Sequence, residues 1–275
     1  MRKTILITGA SSGFGKTTAQ YFAEHDWNVI ATMRQPEQAQ DLKNIKNVLV
    51  NRLEVEDEAS IRESLREGID RFGRIDALVN NAGFGLFGLF EATPKEKIQE
   101  QFAVNVFGVM NVTRAFLPHF RQNKSGIILN VGSGAGVFGL PMISLYCASK
   151  FALEGFSESL AYELASQNII VKIIEPGGVV STNFGKRSAT EAALNPALAD
   201  YQDFVTHTQG VFAGLRTARM ATEEDVAKVI FEAATDGTRQ LRYVATADIL
   251  PLVKARRETS EDKYLSMMRG QFEKK

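Results

Sequence analysis

Seven short runs of β-branched and apolar residues, with helical patterns between them, restrict what this chain can fold into. They are Thr4 to Thr8, Asn28 to Thr32, Val48 to Leu53, Ala77 to Asn80, Gly126 to Val131, Ile169 to Ile174 and Leu241 to Thr246. Strands of that length, separated by stretches with helical periodicity, read as successive βαβ units. The expected fold class is α/β, a doubly wound parallel sheet of about seven strands with helices on both faces. Helix starts are marked. Thr93-Pro94-Lys95-Glu96 combines an N-cap, a proline at the first helical position and a capping-box glutamate, predicting a long helix toward Arg121. Thr222-Glu223-Glu224-Asp225 predicts another, and a third is expected from about Leu145 to Ala165.

At 275 residues without an internal repeat or linker, the chain is expected to form one domain spanning 1–275. Two stretches exceed a minimal βα unit. More than forty residues separate Ile174 from Thr222, far beyond the roughly 2 to 6 of an ordinary βα loop. Its part 184–220 carries Phe184, Leu194, Leu198, Tyr201, Phe204, Phe212 and Leu215 and is read as a substrate lid at the C-terminal edge of the sheet. The tail 247–275, with Tyr264, Met267, Met268 and Phe272, is read as a C-terminal helical extension.

Composition removes several function classes. The 32 cationic and 32 anionic residues cancel, which favours neither nucleic acid nor an anionic membrane surface as a partner. No apolar run approaches the ~20 residues of a membrane span, and the run after Arg2-Lys3 is too short for a signal-peptide core, so a cytoplasmic location is expected. A single cysteine, Cys147, excludes an internal disulfide, and His25, His119 and His207 are too scattered for a metal site.

The first strand runs into Thr8-Gly9-Ala10-Ser11-Ser12-Gly13-Phe14-Gly15-Lys16-Thr17. A strand, a glycine turn and a helix N-terminus form an anion site. A triphosphate loop of the form Gly-x-x-x-x-Gly-Lys-Ser/Thr would need glycine where Ala10 stands, and the spacing Gly-x-Gly-x-x-Gly fails as well. Locally the sequence says phosphate at a helix N-terminus and no more.

Further along, Tyr146 and Lys150 lie four residues apart, on one helical face, so a phenol and an ammonium are neighbours. A cation beside a phenol favours the phenolate, which has an ordinary pKa of ~10. Upstream, the run Gly126 to Val131 ends in Gly132-Ser133-Gly134, which puts a hydroxyl at the same rim, and Ala77 to Asn80 ends in Asn81-Ala82-Gly83. A hydroxyl and a phenol at one strand edge suit carbonyl–alcohol proton transfer.

With these motifs in order, Thr8-Gly9-x-x-x-Gly13-x-Gly15, Asn80-Asn81-Ala82-Gly83, Asn105, Ser133, Tyr146-x-x-x-Lys150 and Pro176-Gly177, the sequence resembles the short-chain dehydrogenase/reductase family across nearly its whole length. The likeness is to the compact branch, near its steroid- and retinol-dehydrogenase-like and carbonyl-reductase-like members. It implies a Rossmann-type sheet and an oxidoreductase that moves a hydride between nicotinamide and a carbonyl or secondary alcohol. It implies further that Tyr146 is the general acid/base, that Lys150 lowers its pKa and binds the nicotinamide ribose, that Ser133 orients the reacting oxygen, and that Asn105 supports a water relay to Lys150. By the same resemblance the dinucleotide contacts Gly9, Ser11, Ser12, Gly13, Phe14, Gly15, Glu54, Val55, Asn81, Ala82, Gly83, Tyr146, Lys150, Pro176, Gly177, Val179 and either Ser181 or Thr182.

The cofactor is read at the end of the second strand. Met33 stands where an NAD-selective site places a carboxylate, and Arg34 follows as a cation able to grip a phosphate, so NADP is expected, with NAD as the alternative. Phe84, Phe138, Leu140 and Phe184 are expected to line a pocket for a medium-sized apolar carbonyl or alcohol. A non-catalytic, NAD(P)-binding redox sensor is the alternative reading. The family also implies a homodimer, with a homotetramer as the alternative, paired through the helices from Pro94 and Leu145.

Overall fold

The computed structural model describes residues 2–179, 198–217 and 221–273. Seven strands form one parallel sheet: β1 (Thr4–Ile7), β2 (Asn28–Met33), β3 (Val48–Arg52), β4 (Ala77–Asn80), β5 (Gly126–Val131), β6 (Ile169–Glu175) and β7 (Arg242–Val244), in the order β3-β2-β1-β4-β5-β6-β7. The order reverses between β1 and β4, where Ile5 pairs with Val29 on one side and Ala77 on the other. All strand C-termini therefore meet one rim, and the reversal opens a crevice there.

Alternation along each strand makes two cores. Ile5 and Ile7 face α1 (Gly13–Glu24) and α8 (Glu223–Thr235), packing with Phe22, Val226 and Ile230. Leu6, Leu78 and Ile128 face the other way, onto Ile61 of α3 (Glu58–Phe72), Phe116 and Phe120 of α5 (Val109–Gln122) and Leu160 of α6 (Ser144–Ala165). Phe22, Phe116 and Phe120 are fully buried, each contributing about 1.5–3 kcal/mol of burial. A short helix α2 (Gln40–Lys43) follows β2.

The helix predicted from Pro94 toward Arg121 is α4 (Lys95–Phe102), a π-helical segment (Ala103–Gly108) and α5 in unbroken succession. Its start differs from the expectation. Pro94 is the N-cap, and the Thr93 hydroxyl donates to the Leu89 carbonyl instead of capping the helix. At α8 the capping box is present, with Thr222 and Asp225 bonded reciprocally.

Beyond the sheet, α7 (Gln202–Thr217) lies in the segment read as a lid, and the tail forms α9 (Leu250–Glu258) and α10 (Glu261–Phe272). Val137 and Phe138 pack with Ile249, Val253, Tyr264, Met268 and Phe272, and Val211 and Phe212 of α7 join them. Phe87, Phe212 and Phe272 follow one another with ring centroids 5.7 and 5.9 Å apart, linking the loop after β4 to α7 and α10.

Candidate active site

The loop after β1 is shaped by glycine. Gly9 and Gly13 have φ of 68° and 56°, in the left-handed region that favours glycine. A Cβ on Gly15 would stand 2.4 Å from the Gly9 carbonyl oxygen and 2.5 Å from Asn81 Nδ2, so helix α1 starts against bare backbone. Thr8 and Asn81 brace this loop to β4. Thr8 Oγ1 accepts from the amides of Asn81 and Ala82, both at 3.0 Å, while Asn81 Nδ2 donates to the carbonyls of Thr8 and Gly9 at 2.9 and 3.1 Å. Ser12 is the N-cap of α1, and its side chain makes no capping hydrogen bond. First-turn amides and a spare hydroxyl at the switch point fit a pyrophosphate. Ser11 and Ser12 are exposed, whereas Phe14 packs partly into the core. Lys16 pairs with Asp41 of α2 at 2.6 Å.

At the end of β2, Met33 is buried and Arg34 is exposed, its Nε 3.8 Å from a Glu54 carboxylate oxygen. Burial raises the Glu54 pKa. Val55 is buried against Gly108. On the far side, the Gly177 amide donates to Thr246 Oγ1 at 2.8 Å, and a Cβ on Gly177 would fall 2.4 Å from Asp248 Oδ1. Pro176 accepts from the Gly134 amide at 2.9 Å, and Val179 is buried. Bare backbone at Gly9, Gly15 and Gly177, with no room for a Cβ, fits the close approach of a dinucleotide. Ser181, Thr182 and Phe184 lie outside the described residues.

Ser133, Tyr146 and Lys150 come together where β5 meets α6. The Ser133 hydroxyl accepts from the Ala135 amide at 3.1 Å and hydrogen-bonds the Tyr146 phenol. Lys150 is buried, its ammonium donating to the Val131 carbonyl at 2.8 Å and standing 5.7 Å from the Tyr146 ring centroid. The expectation that Lys150 depresses the Tyr146 pKa is not met. Burial pushes the phenol up to about 12, opposed by the Ser133 hydrogen bond, and burial brings the Lys150 ammonium down to about 8.

Asn105 sits in the π-helical segment, a device that often marks functional sites. Its side chain is occupied with the loop after β4. Oδ1 accepts from the Phe84 amide at 3.0 Å, and Nδ2 donates to the Phe84 carbonyl at 2.8 Å and to Ser149 Oγ at 3.2 Å. Ser149 Oγ donates in turn to the Tyr146 carbonyl at 2.8 Å. Asn105 thus reaches the tyrosine's helix through Ser149, and its side-chain hydrogen bonds do not include Lys150.

Three residues escaped the sequence reading. Gln101, one turn before Asn105, is fully buried and clamps the same loop by donating to the Phe84 carbonyl at 2.7 Å and accepting from the Leu86 amide at 2.9 Å. Ser149 and Glu154 belong to the buried stripe of α6 that also holds Lys150, Leu153 and Ser157. The readable signal was polar residues at core spacing.

The pocket residues divide. Leu140 is partly buried beside α7 and the tail. Phe84 and Phe138 are almost wholly buried, and Phe138 is packed into the C-terminal cluster, so neither offers a substrate an open face.

Residues 3–192 match the family model described as short chain dehydrogenase. The chain belongs to the short-chain dehydrogenase/reductase family. It is therefore an NAD(P)-binding oxidoreductase acting on CH–OH or C=O groups of a small-molecule substrate. Among its relatives, a 3-ketodihydrosphingosine reductase from Bacteroides thetaiotaomicron is 40% identical over 199 residues, covering 72% of this chain and 71% of the relative. Human 17-beta-hydroxysteroid dehydrogenase type 1 is 35% identical over 271 residues, covering 93% and 81%. The crystal structure of a short-chain dehydrogenase from Streptomyces avermitilis superposes with a TM-score of 0.81 at 31% identity, covering 98% of this chain and 94% of the other. No helix among the described residues is long and apolar enough to cross a membrane.

Proposed function

We propose that this enzyme uses NADP(H) to interconvert a medium-sized, largely apolar carbonyl compound and its secondary alcohol, with Tyr146 as the proton-transferring residue. The observation that carries the reading is the hydrogen-bonded Ser133–Tyr146 hydroxyl pair beside the buried Lys150 ammonium. The dinucleotide, when bound, supplies the hydride. Gly9, Gly13, Gly15 and the first turn of α1 would hold its pyrophosphate, and Arg34 would meet the 2'-phosphate. In the reducing direction Ser133 Oγ fixes the substrate oxygen and the Tyr146 phenol donates its proton to it. A phenol with pKa about 12 is protonated at neutral pH. Lys150 stabilises the phenolate that remains, and Asn105 and Ser149 hold the helix carrying both residues in place.

Supporting an apolar substrate, the loop after β4, the tail cluster and α7 contribute the partly buried Phe87, Leu140 and Phe212. Two relatives are named for a 3-keto sphingoid base and a hydroxysteroid, both large apolar bodies bearing the reacting group. Exposed Phe107, Phe151 and Tyr162 on the π-helical segment and α6 support a homodimer formed through these helices.

The test is oxidation of NADPH and NADH with a panel of long-chain and polycyclic ketones. NADPH is expected to bind at least tenfold more tightly than NADH, and Arg34→Ala to remove that preference, because a charge-assisted phosphate contact is worth about 1.5–3 kcal/mol. Equal affinities that Arg34→Ala leaves unchanged would defeat the NADP assignment. No oxidation of either cofactor by any ketone would favour a nucleotide-sensing protein.

A pH profile follows from the same roles. Lys150 loses its charge near pH 8, well before Tyr146 ionises near 12. Reduction, which needs both protons in place, is therefore expected to fall as pH rises, with a first midpoint near 8. A flat kcat/KM between about pH 6 and 10 contradicts the role given to Lys150.

A further inference from the structure

Glu154 lies one turn beyond Lys150 on the buried stripe of α6. Its Oε2 accepts from Arg242 Nε at 2.9 Å, while Oε1 is buried without a hydrogen-bond partner. Carboxylates are rarely buried without full hydrogen bonding, and retaining one here needs a cation nearby. Arg242 supplies one at 2.9 Å, and the Glu154 charge in turn favours the ammonium of Lys150, one turn away on the same buried stripe. From Glu154 a chain of alternating charge continues. Arg242 of β7 also binds Glu158 of α6 and approaches Glu175 of β6 at 3.7 Å. Glu175, fully buried, is held in two-point fashion by Arg257 of α9, Nη1 to Oε2 at 3.1 Å and Nη2 to Oε1 at 2.5 Å. Three cations and three anions thus lead from the site to the C-terminal extension. The glycine turn around Ser133 lies on this chain, since Cβ atoms on Gly132 and Gly136 would stand 3.2 and 3.1 Å from Glu154 Oε1 and Cγ.

We propose that Glu154 is a positioning residue for Lys150: its carboxylate holds the buried ammonium charged, and the Arg242–Glu175–Arg257 chain holds Glu154 in place from the C-terminal helix. The proposal rests on the role assigned to Lys150 above. The ionisable groups concerned are Tyr146, Cys147 and Glu158 on α6, Glu175 on β6, Arg242 on β7 and Arg257 on α9. The opposing influences are legible in the geometry. Burial first and Glu175 second push the Glu154 carboxyl up to about 7, against Arg242 and Arg257, which favour the carboxylate, so Glu154 is charged above neutral pH, where Lys150 gives up its proton. Removing the Glu154 charge leaves Lys150 with burial alone, so the ammonium gives up its proton at lower pH.

The experiment compares Glu154→Gln with wild type by NMR titration of lysine side chains in the ligand-free protein, Lys150 being assigned by its loss in Lys150→Met. Because a single charge within one helical turn moves a pKa by about one unit or more, the Lys150 midpoint is expected to drop by that amount in Glu154→Gln. Glu154→Asp and Glu154→Asn form a second pair of matched size that differs in charge alone. The aspartate should hold the midpoint near wild type and the asparagine should lower it, which keeps the test decisive if Glu154→Gln does not fold. The alkaline fall of kcat/KM should move to lower pH by the same interval. A merely structural role would lower activity equally at all pH and leave the Lys150 midpoint unmoved, and that result overturns the proposal. A shifted midpoint in a protein that turns over no ketone upholds the link between Glu154 and Lys150 while removing the proposed reaction.

Discussion

Tyr146→Phe is expected to lower kcat/KM for ketone reduction by about 10²- to 10⁴-fold, the usual worth of a positioned general acid. NADPH affinity should be nearly unchanged. The phenylalanine keeps the ring that lies beside Lys150 and removes one oxygen, and Ser133 retains its hydrogen bond from the Ala135 amide. Lys150 keeps its bond to the Val131 carbonyl, so the ribose-binding role proposed for it survives. The fold should tolerate the change, because losing one hydrogen bond costs about 0.5–1.5 kcal/mol and the phenol's desolvation is lost with it. The measurement is steady-state kinetics with the best ketone of the panel, together with NADPH binding by fluorescence. Retention of more than a tenth of wild-type kcat/KM would assign the proton transfer to another group. A variant that loses NADPH binding in parallel would make Tyr146 a cofactor ligand first and an acid second.

What the sequence made legible follows from how local each signal is. The seven strands were readable because each is a compact β-branched run, and six of the seven observed starts coincide with the expected residue, Arg242 replacing Leu241 at β7. The Thr222 capping box lies within four residues and was equally plain. At Thr93 a similar pattern misled, because the loop after β4 turns back far enough for the Leu89 carbonyl to take the hydroxyl. The Tyr146–Lys150 pairing is set by helical periodicity alone and appears as expected. The direction of the Tyr146 shift was not readable. It depends on how deeply β5, α6 and the tail bury the phenol, and burial is a property of packing, with no spacing to betray it. Asn105 was found by its motif, but its use on the Phe84 backbone depends on a loop 21 residues away in sequence. The charge chain was least visible of all, since Glu154, Glu175, Arg242 and Arg257 come from four elements brought together by the β5–β6–β7 pairing and the docking of α9.

Arg257→Ala should destabilise the protein by about 2–3 kcal/mol, below the roughly 3–5 of a wholly buried pair that loses one partner, because Arg257 is partly exposed and Arg242 stays near Glu175. Arg257 is partly exposed, but the carboxylate it holds is not: Glu175 has no accessible surface and takes both guanidinium contacts. Arg242 stands 3.7 Å from Glu175 and is already engaged by Glu154 and Glu158, so it compensates in part. Glu175 is the last residue of β6 and runs directly into Pro176 and Gly177, where the Gly177 amide is fixed by Thr246. A carboxylate left alone at that point moves the loop as it seeks water, and NADPH affinity is expected to fall with stability. The double variant Arg257→Leu/Glu175→Leu separates charge from packing. Replacing both members of a buried pair by apolar residues is often close to neutral, so the double variant should recover most of the lost stability. Urea denaturation of wild type, single and double variants at neutral pH reads all three. A single variant within about 1 kcal/mol of wild type would place the pair with surface ion pairs of little consequence, and a double variant no better than the single would mean that Arg257 acts through its packing on the tail and not through Glu175.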